Sequence, residues 1–89
     1  MKYSWDETKR LKNLQKHRLD FADVVRIFDG PTLTMPDDRA DYGEARFITM
    51  GLLKTAVVVI AHTENESEIR IISMRKAERY ETEIFFSCA

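Results

Sequence analysis

The sequence predicts an α+β domain: a small antiparallel sheet of three to four strands, with two helices before it and one after it. Three observations carry this. Phe21, Val24, Val25 and Phe28 recur at i, i+3, i+4 and i+7, the spacing of one buried helical face. Three apolar or alternating runs, 44–51, 55–62 and 69–74, are separated by short turn-forming stretches, as in a meander. Over 68–81 the pattern then changes from period two to helical, and Arg70, Arg75, Lys76 and Arg79 flank the change.

In chain order, Tyr3-Ser4-Trp5 alternates and suits a brief strand with Tyr3 and Trp5 on the core side. Asp6 is a candidate N-cap for a helix running to about Lys16, with Glu7 and Lys16 at their favourable ends of the dipole. Its apolar stripe is thin, mainly Leu11 and Leu14, and Lys9, Arg10, Lys12 and Lys16 make it basic. Asp20 caps the second helix, and Gly30-Pro31 ends it: Pro31 removes a donor and Gly30 can take a left-handed cap.

Residues 32–35 alternate as a short edge strand would, and 36–43 form a polar, acidic loop. In the meander the first strand ends at Gly51, 52–54 turn, 55–62 is the central strand, and 63–67 turn again. The third helix is expected from near Arg75, with Ser73 as N-cap and Ala77, Tyr80, Ile84 and Phe85 or Phe86 facing the core.

Bulk composition narrows the class. Eighty-nine residues with 44% hydrophobic and 33% charged side chains suit one globular domain, 1–89. A net charge of −1 argues against a general polyanion binder, so any nucleic-acid contact must come from a local patch. Cys88 is the single cysteine, so no intrachain disulfide can form, which fits a reducing compartment. The N-terminus turns polar too early for a signal peptide, and the apolar run 56–61 is too short to span a bilayer. These features lead us to expect a cytoplasmic protein.

No phosphate-binding glycine loop, HExxH, nucleophile elbow or CxxC is present. His17, His62 and the acids match no zinc spacing, and no cofactor or metal is expected. The remaining chemistry lies in cations, histidines and carboxylates. Glu44 and Arg46 point to one side of the pleat, either as a salt bridge at a wet strand end or as a base beside a guanidinium. Arg70 shares a pleat face with Ile72 and Met74, so its head either snorkels past the sheet or lines a polar site. Arg75 and Arg79, four apart, would share a helix face, and Tyr80 reads as core. His62 ends the central strand as a polar terminator or a proton carrier. Asn13, Lys16 and His17 lie on one side of the last turn of the first helix, where cations cap its carbonyls.

Four segments, WDETKRLKNLQKH at 5–17, FADVVRIF at 21–28, YGEARFITMG at 42–51 and RIISMRKAERYE at 70–81, together resemble the BrnT family of bacterial type II toxins. The matching positions include Trp5, Lys9, Asn13, Lys16 and His17, then Gly43, Glu44, Arg46 and Gly51, then Arg70, Ser73, Arg75, Lys76 and Glu81. The resemblance implies a RelE-like fold, RNA cleavage that halts translation, and a BrnA-like ribbon-helix-helix antitoxin. It also implies that the toxin–antitoxin complex represses its own operon. The chain departs from the family at His62-Thr63-Glu64-Asn65, where relatives tend to show Tyr-Thr-Glu-Arg, and at Met74, where they have a small residue.

The expected chemistry is metal-independent attack of a 2′-OH on the adjacent phosphate. Arg46, Arg70 and Arg75 would stabilise charge, Glu44 or His62 would move protons, and Lys16, Arg75, Lys76 and Arg79 would bind RNA. The alternative is a module without turnover, bound to RNA or to its partner, acting as co-repressor on operator DNA through the antitoxin.

Overall fold

Asp6 opens the first helix as the sequence predicts: it sits in extended conformation and its side chain accepts from the Lys9 N–H. In this computed structural model, which describes residues 1–39 and 41–88, β1 (Lys2–Trp5) leads into α1 (Glu7–His17). Arg18 closes α1 in the left-handed conformation and donates its N–H to the Leu14 carbonyl. A 3₁₀ turn (Phe21–Asp23), capped by Asp20, runs into the short α2 (Val24–Asp29). Then come β2 (Thr32–Pro36), β3 (Phe47–Leu53), β4 (Ala56–Glu64), β5 (Glu68–Lys76) and α3 (Arg79–Cys88). Ala40, within the loop expected over 36–43, and Ala89 lie outside the described residues.

The sheet has five strands in the order β1-β5-β4-β3-β2. The α+β class holds, but the sheet is mixed and not purely antiparallel, because β1 pairs with β5 in parallel. A four-residue strand carries no signal for its partner, so that pairing was not readable from Tyr3-Ser4-Trp5. The meander β3-β4-β5 and the edge strand β2 are present, but β3 starts at Phe47 rather than Glu44 and runs on to Leu53 through the expected turn, and β4 and β5 are both longer than predicted.

Each face of the sheet carries one core. On one side Phe21, Val24 and Ile27 pack on Val58, Ile60, Ile69, Ile71 and Met74, with Tyr3 and Trp5 at the margin. On the other, Phe85 of α3 packs on Met50, Val57 and Val59, flanked by Leu33, Met35, Ile48 and Leu52. Gly51 lies beneath α2, where a Cβ would come within 2.5 Å of Ile27 Cγ2. Only a residue without a side chain lets α2 sit that close to β3.

Several expected details change. Val25 is exposed, and Ile27 takes the buried position instead. The opening 3₁₀ turn advances the chain by about three residues per turn and so shifts the apolar stripe. Gly30 is extended and not left-handed. Leu11 is exposed, and α1 docks through buried Asn13 rather than through a leucine stripe. The third helix starts at Arg79, not near Arg75. Its N-cap is Glu78, whose carbonyl accepts from the Thr82 N–H and whose N–H is held by the Glu81 carboxylate. Tyr80 and Ile84 are exposed, and Glu81 and Phe85 form the buried face.

Candidate functional site

The strand β5 sets the site, and a bulge in it decides which side chains meet. His62 pairs with Ile71 and Ala61 with Ser73, so Ile72 is an extra residue. Ile69 and Ile71 before the bulge, and Met74 after it, all face the α2 core. Arg70 therefore lies on the α3 side of the sheet, opposite Thr63 and Ser4, beyond the ground α3 covers, and is exposed. An unbroken period of two would put Arg70 on the face of Met74, and the bulge breaks that period. An exposed Arg70 carries no desolvation cost and has no acidic partner within 4.0 Å among the described residues.

Past the end of β1, the open edge of β5 is covered by α1. Asn13 makes the joint: its Oδ1 accepts from the Met74 N–H at 3.1 Å and its Nδ2 donates to the Leu19 carbonyl at 3.2 Å. Two backbone groups that would be orphaned inside the fold are thus satisfied by one buried amide. Beside this joint is a groove of about 320 Å³ lined by Lys9, Lys12, Lys16, His17, Ile72 and Ser73. The lysines fall on one side of α1 because they are spaced by three and four residues. Lys16, expected to bind RNA, sits here. The bulge brings Ile72 and Ser73 to the opposite wall.

Arg75 stands two residues after Ser73, in the strand and not in a helix, so it shares no helix face with Arg79. Two of its guanidinium nitrogens donate to Glu81, at 2.7 and 2.9 Å. That hydrogen-bonded pairing holds the Glu81 carboxyl below the ordinary carboxylate range and ties α3 to the sheet. Arg79 is almost fully exposed at the start of α3, 3.4 Å from Glu83. Lys76 points to the other side of the sheet from Arg75, into a separate cleft.

Arg46 lies one residue beyond the last β3–β4 pair, its carbonyl accepting from the Asp37 N–H. That places it at the level of Thr63 and Arg70, two strands away, which at ordinary strand spacing is on the order of 10 Å between backbones. Its guanidinium stacks 4.0 Å from the Tyr42 ring centre and lies 3.6 Å from Glu44, and its Nε is buried without a hydrogen-bond partner. Glu44 itself is exposed and precedes the strand.

His62 is elsewhere. It is fully buried on the α2 side, between the rings of Phe28 and Phe47, and its Nε2 is 2.7 Å from Thr49 Oγ1. The sheet separates it from Arg70, so it reads as a core side chain rather than a strand-end proton carrier. No property of the sequence distinguishes this buried histidine from an exposed terminator, because β4 was expected to end at His62 and runs on to Glu64.

Burial pushes the His62 imidazole below its ordinary pKa, against a smaller opposing pull from Glu64. The folded state then takes up a proton less readily than the unfolded chain. Stability is fully present above the unfolded value, about 6.5, and falls as pH drops below it towards the folded value. Asp20, Asp37 and Glu81 are held below the carboxylate range by their partners and lose their contributions at lower pH. Urea midpoints measured from pH 7 to pH 5 should fall for the wild type and stay flatter for His62→Phe.

Among the described residues no three His, Cys, Asp or Glu side chains gather as a metal site would require. Nor is any helix long and apolar enough to cross a membrane. His17 carries no site expectation of its own in the sequence; its signals there are the i, i+4 relation to Asn13 and its place among the positions that match the family resemblance.

No curated protein matches the chain closely enough to count as a relative. Residues 5–81 match the family described as ribonuclease toxin, BrnT, of type II toxin-antitoxin system. That span runs from the end of β1 to Glu81 and takes in the α1–β5 groove, the bulge, and both Arg70 and Arg75. The chain belongs to the BrnT family of ribonuclease toxins of type II toxin–antitoxin systems.

Proposed function

We propose that the chain cleaves single-stranded RNA without a metal, by attack of a 2′-OH on the adjacent phosphate, and so halts translation until a ribbon-helix-helix antitoxin of the BrnA type covers the site. The observation that carries this reading is the lysine-lined groove between α1 and β5, with Arg70, which has no acidic partner among the described residues, two residues before the groove wall on the same strand. Cleavage of this kind needs cations where charge gathers on the phosphoryl oxygens, a base for the 2′-OH, and an acid for the leaving 5′-oxygen.

Lys9, Lys12 and Lys16 hold the phosphates on the α1 wall, and Arg70 stabilises the pentacovalent phosphorus. Arg46, partly exposed at the same level of the sheet, contacts the neighbouring phosphate through its terminal guanidinium nitrogens. Arg75 spends two nitrogens on Glu81 and contributes mainly by positioning α3. Arg79 steers the strand from the surface. His17 moves the proton, since it lies in the groove and imidazole is the side chain suited to proton exchange near neutrality. Glu44 is the competing carrier, favoured by its place beside Arg46.

The pH–rate profiles of His17→Ala and Glu44→Ala on a defined RNA separate these roles. Loss of one limb of the profile in His17→Ala, with a rate drop of about a hundredfold, is the expected result. An unchanged profile in His17→Ala and a lost limb in Glu44→Ala would assign the proton to Glu44 instead.

A further inference from the structure

Of the fourteen lysines and arginines, only Arg10, Arg39, Arg46, Arg75 and Arg79 hold an acidic partner within 4.0 Å among the described residues. Three unpaired cations line the α1–β5 groove. Four others, Arg18, Arg26, Lys54 and Lys76, converge on a second cleft of about 480 Å³ on the α2 side of the sheet. They come from four separate places: the cap of α1, the body of α2, the β3–β4 turn and the last residue of β5. Asp23 is the single acid in the lining, and the floor is apolar, with buried Leu19 and Val58.

Converging like charges repel one another, so four of them around one concave site focus a positive potential that Asp23 offsets only in part. In a chain of net charge −1 such a concentration is not a property of the bulk composition. The backbone adds an independent observation. Among the described residues, Arg18 (φ 59°) and Lys54 (φ 57°) are the two non-glycine residues with positive φ, and both stand in this ring. Glycine holds that conformation without strain, yet both positions carry a cation.

We propose that this cleft is a second phosphate-binding site, which holds the backbone of the same RNA strand away from the scissile bond. The proposal rests on the ribonuclease reading above. Continuity favours RNA over an acidic peptide: Arg18 directly follows His17, so the groove and the cleft adjoin across the C-terminal end of α1. A strand bearing one charge per nucleotide can pass from one to the other. Lys76, expected from the sequence to bind RNA beside Arg75, keeps an RNA contact on this reading, but at the remote site.

The test is the double variant Arg26→Glu/Lys54→Glu, whose side chains are exposed and lie outside the catalytic groove. Cleavage of a dinucleotide, too short to reach both sites, and of a long single-stranded RNA are compared with wild type, together with thermal midpoints. KM for the long RNA should rise about tenfold and its salt dependence should flatten by roughly 1.4 in the logarithmic slope, at about 0.7 per phosphate contact. Dinucleotide kinetics should not change. An unchanged KM for long RNA, an equal loss on both substrates, or a loss confined to antitoxin binding would overturn the proposal. If the wild type cuts neither substrate, the ribonuclease reading fails by itself. The affinity of both proteins for the long RNA, read by fluorescence anisotropy, then still decides the cleft.

Discussion

Arg70→Ala should lower RNA cleavage by about a hundredfold or more, the usual consequence of removing one donor that stabilises transition-state charge. Its thermal midpoint should barely move, because Arg70 is exposed and has no acidic partner among the described residues, and surface substitutions of that kind stay within about 0.5 kcal/mol. The variant should also still bind the antitoxin. Steady-state cleavage and a melting curve on the same preparation check both halves. A variant with wild-type cleavage removes Arg70 from the mechanism. One that melts early shows that Arg70 serves the fold, which nothing in its surroundings predicts. Arg75→Ala should behave differently: it leaves the buried Glu81 carboxylate without its guanidinium, so activity and stability should fall together.

Asn13→Leu is the second large effect, and it arises in packing rather than chemistry. The leucine fills a similar volume but can neither accept from the Met74 N–H nor donate to the Leu19 carbonyl. Each backbone group left unsatisfied costs about 1–3 kcal/mol. Against the 5–15 kcal/mol typical of whole domains, that loss should drop the urea midpoint sharply. It should also widen the α1–β5 groove, so that cleavage falls even at temperatures where the chain stays folded. Asn13→Asp keeps the acceptor for Met74 and should retain part of both. Equal stability of Asn13→Leu and wild type would mean that α1 is held in place by something other than this amide.

The two cores show how far local pattern reaches. Asp6, Asp20 and the apolar runs of β3 and β4 announced themselves, because caps and periodicity depend on neighbours in sequence. The pairing of β1 with β5 did not, since partners such as Tyr3 and Ile69 lie 66 positions apart in the chain. The bulge at Ile72 is equally silent in sequence, and it reverses the phase of every later residue of β5. That single extra residue puts Arg70 on the opposite face from Met74, where an unbroken alternation would place them together.

The site was legible in part. The cations of α1 and Arg70 were visible as charge without obvious partners, but which of them share a concave surface depends on how α1 docks against β5. His62 shows the opposite outcome, a candidate that the sheet carries to the far face and seals between Phe28 and Phe47. Glu81 illustrates a third case: a surface-looking glutamate that is buried because it serves both the α3 N-terminus and Arg75.

The central claim is that this chain's own side chains, without a metal, drive 2′-OH attack on RNA. The direct measurement is the end chemistry of fragments made from single-stranded RNA by the purified chain in excess chelator. The account predicts fragments ending in 2′,3′-cyclic phosphate with 5′-hydroxyl partners, suppressed when the antitoxin is added. Fragments with 5′-phosphate ends, or cleavage abolished by the chelator and restored by a divalent cation, would contradict it.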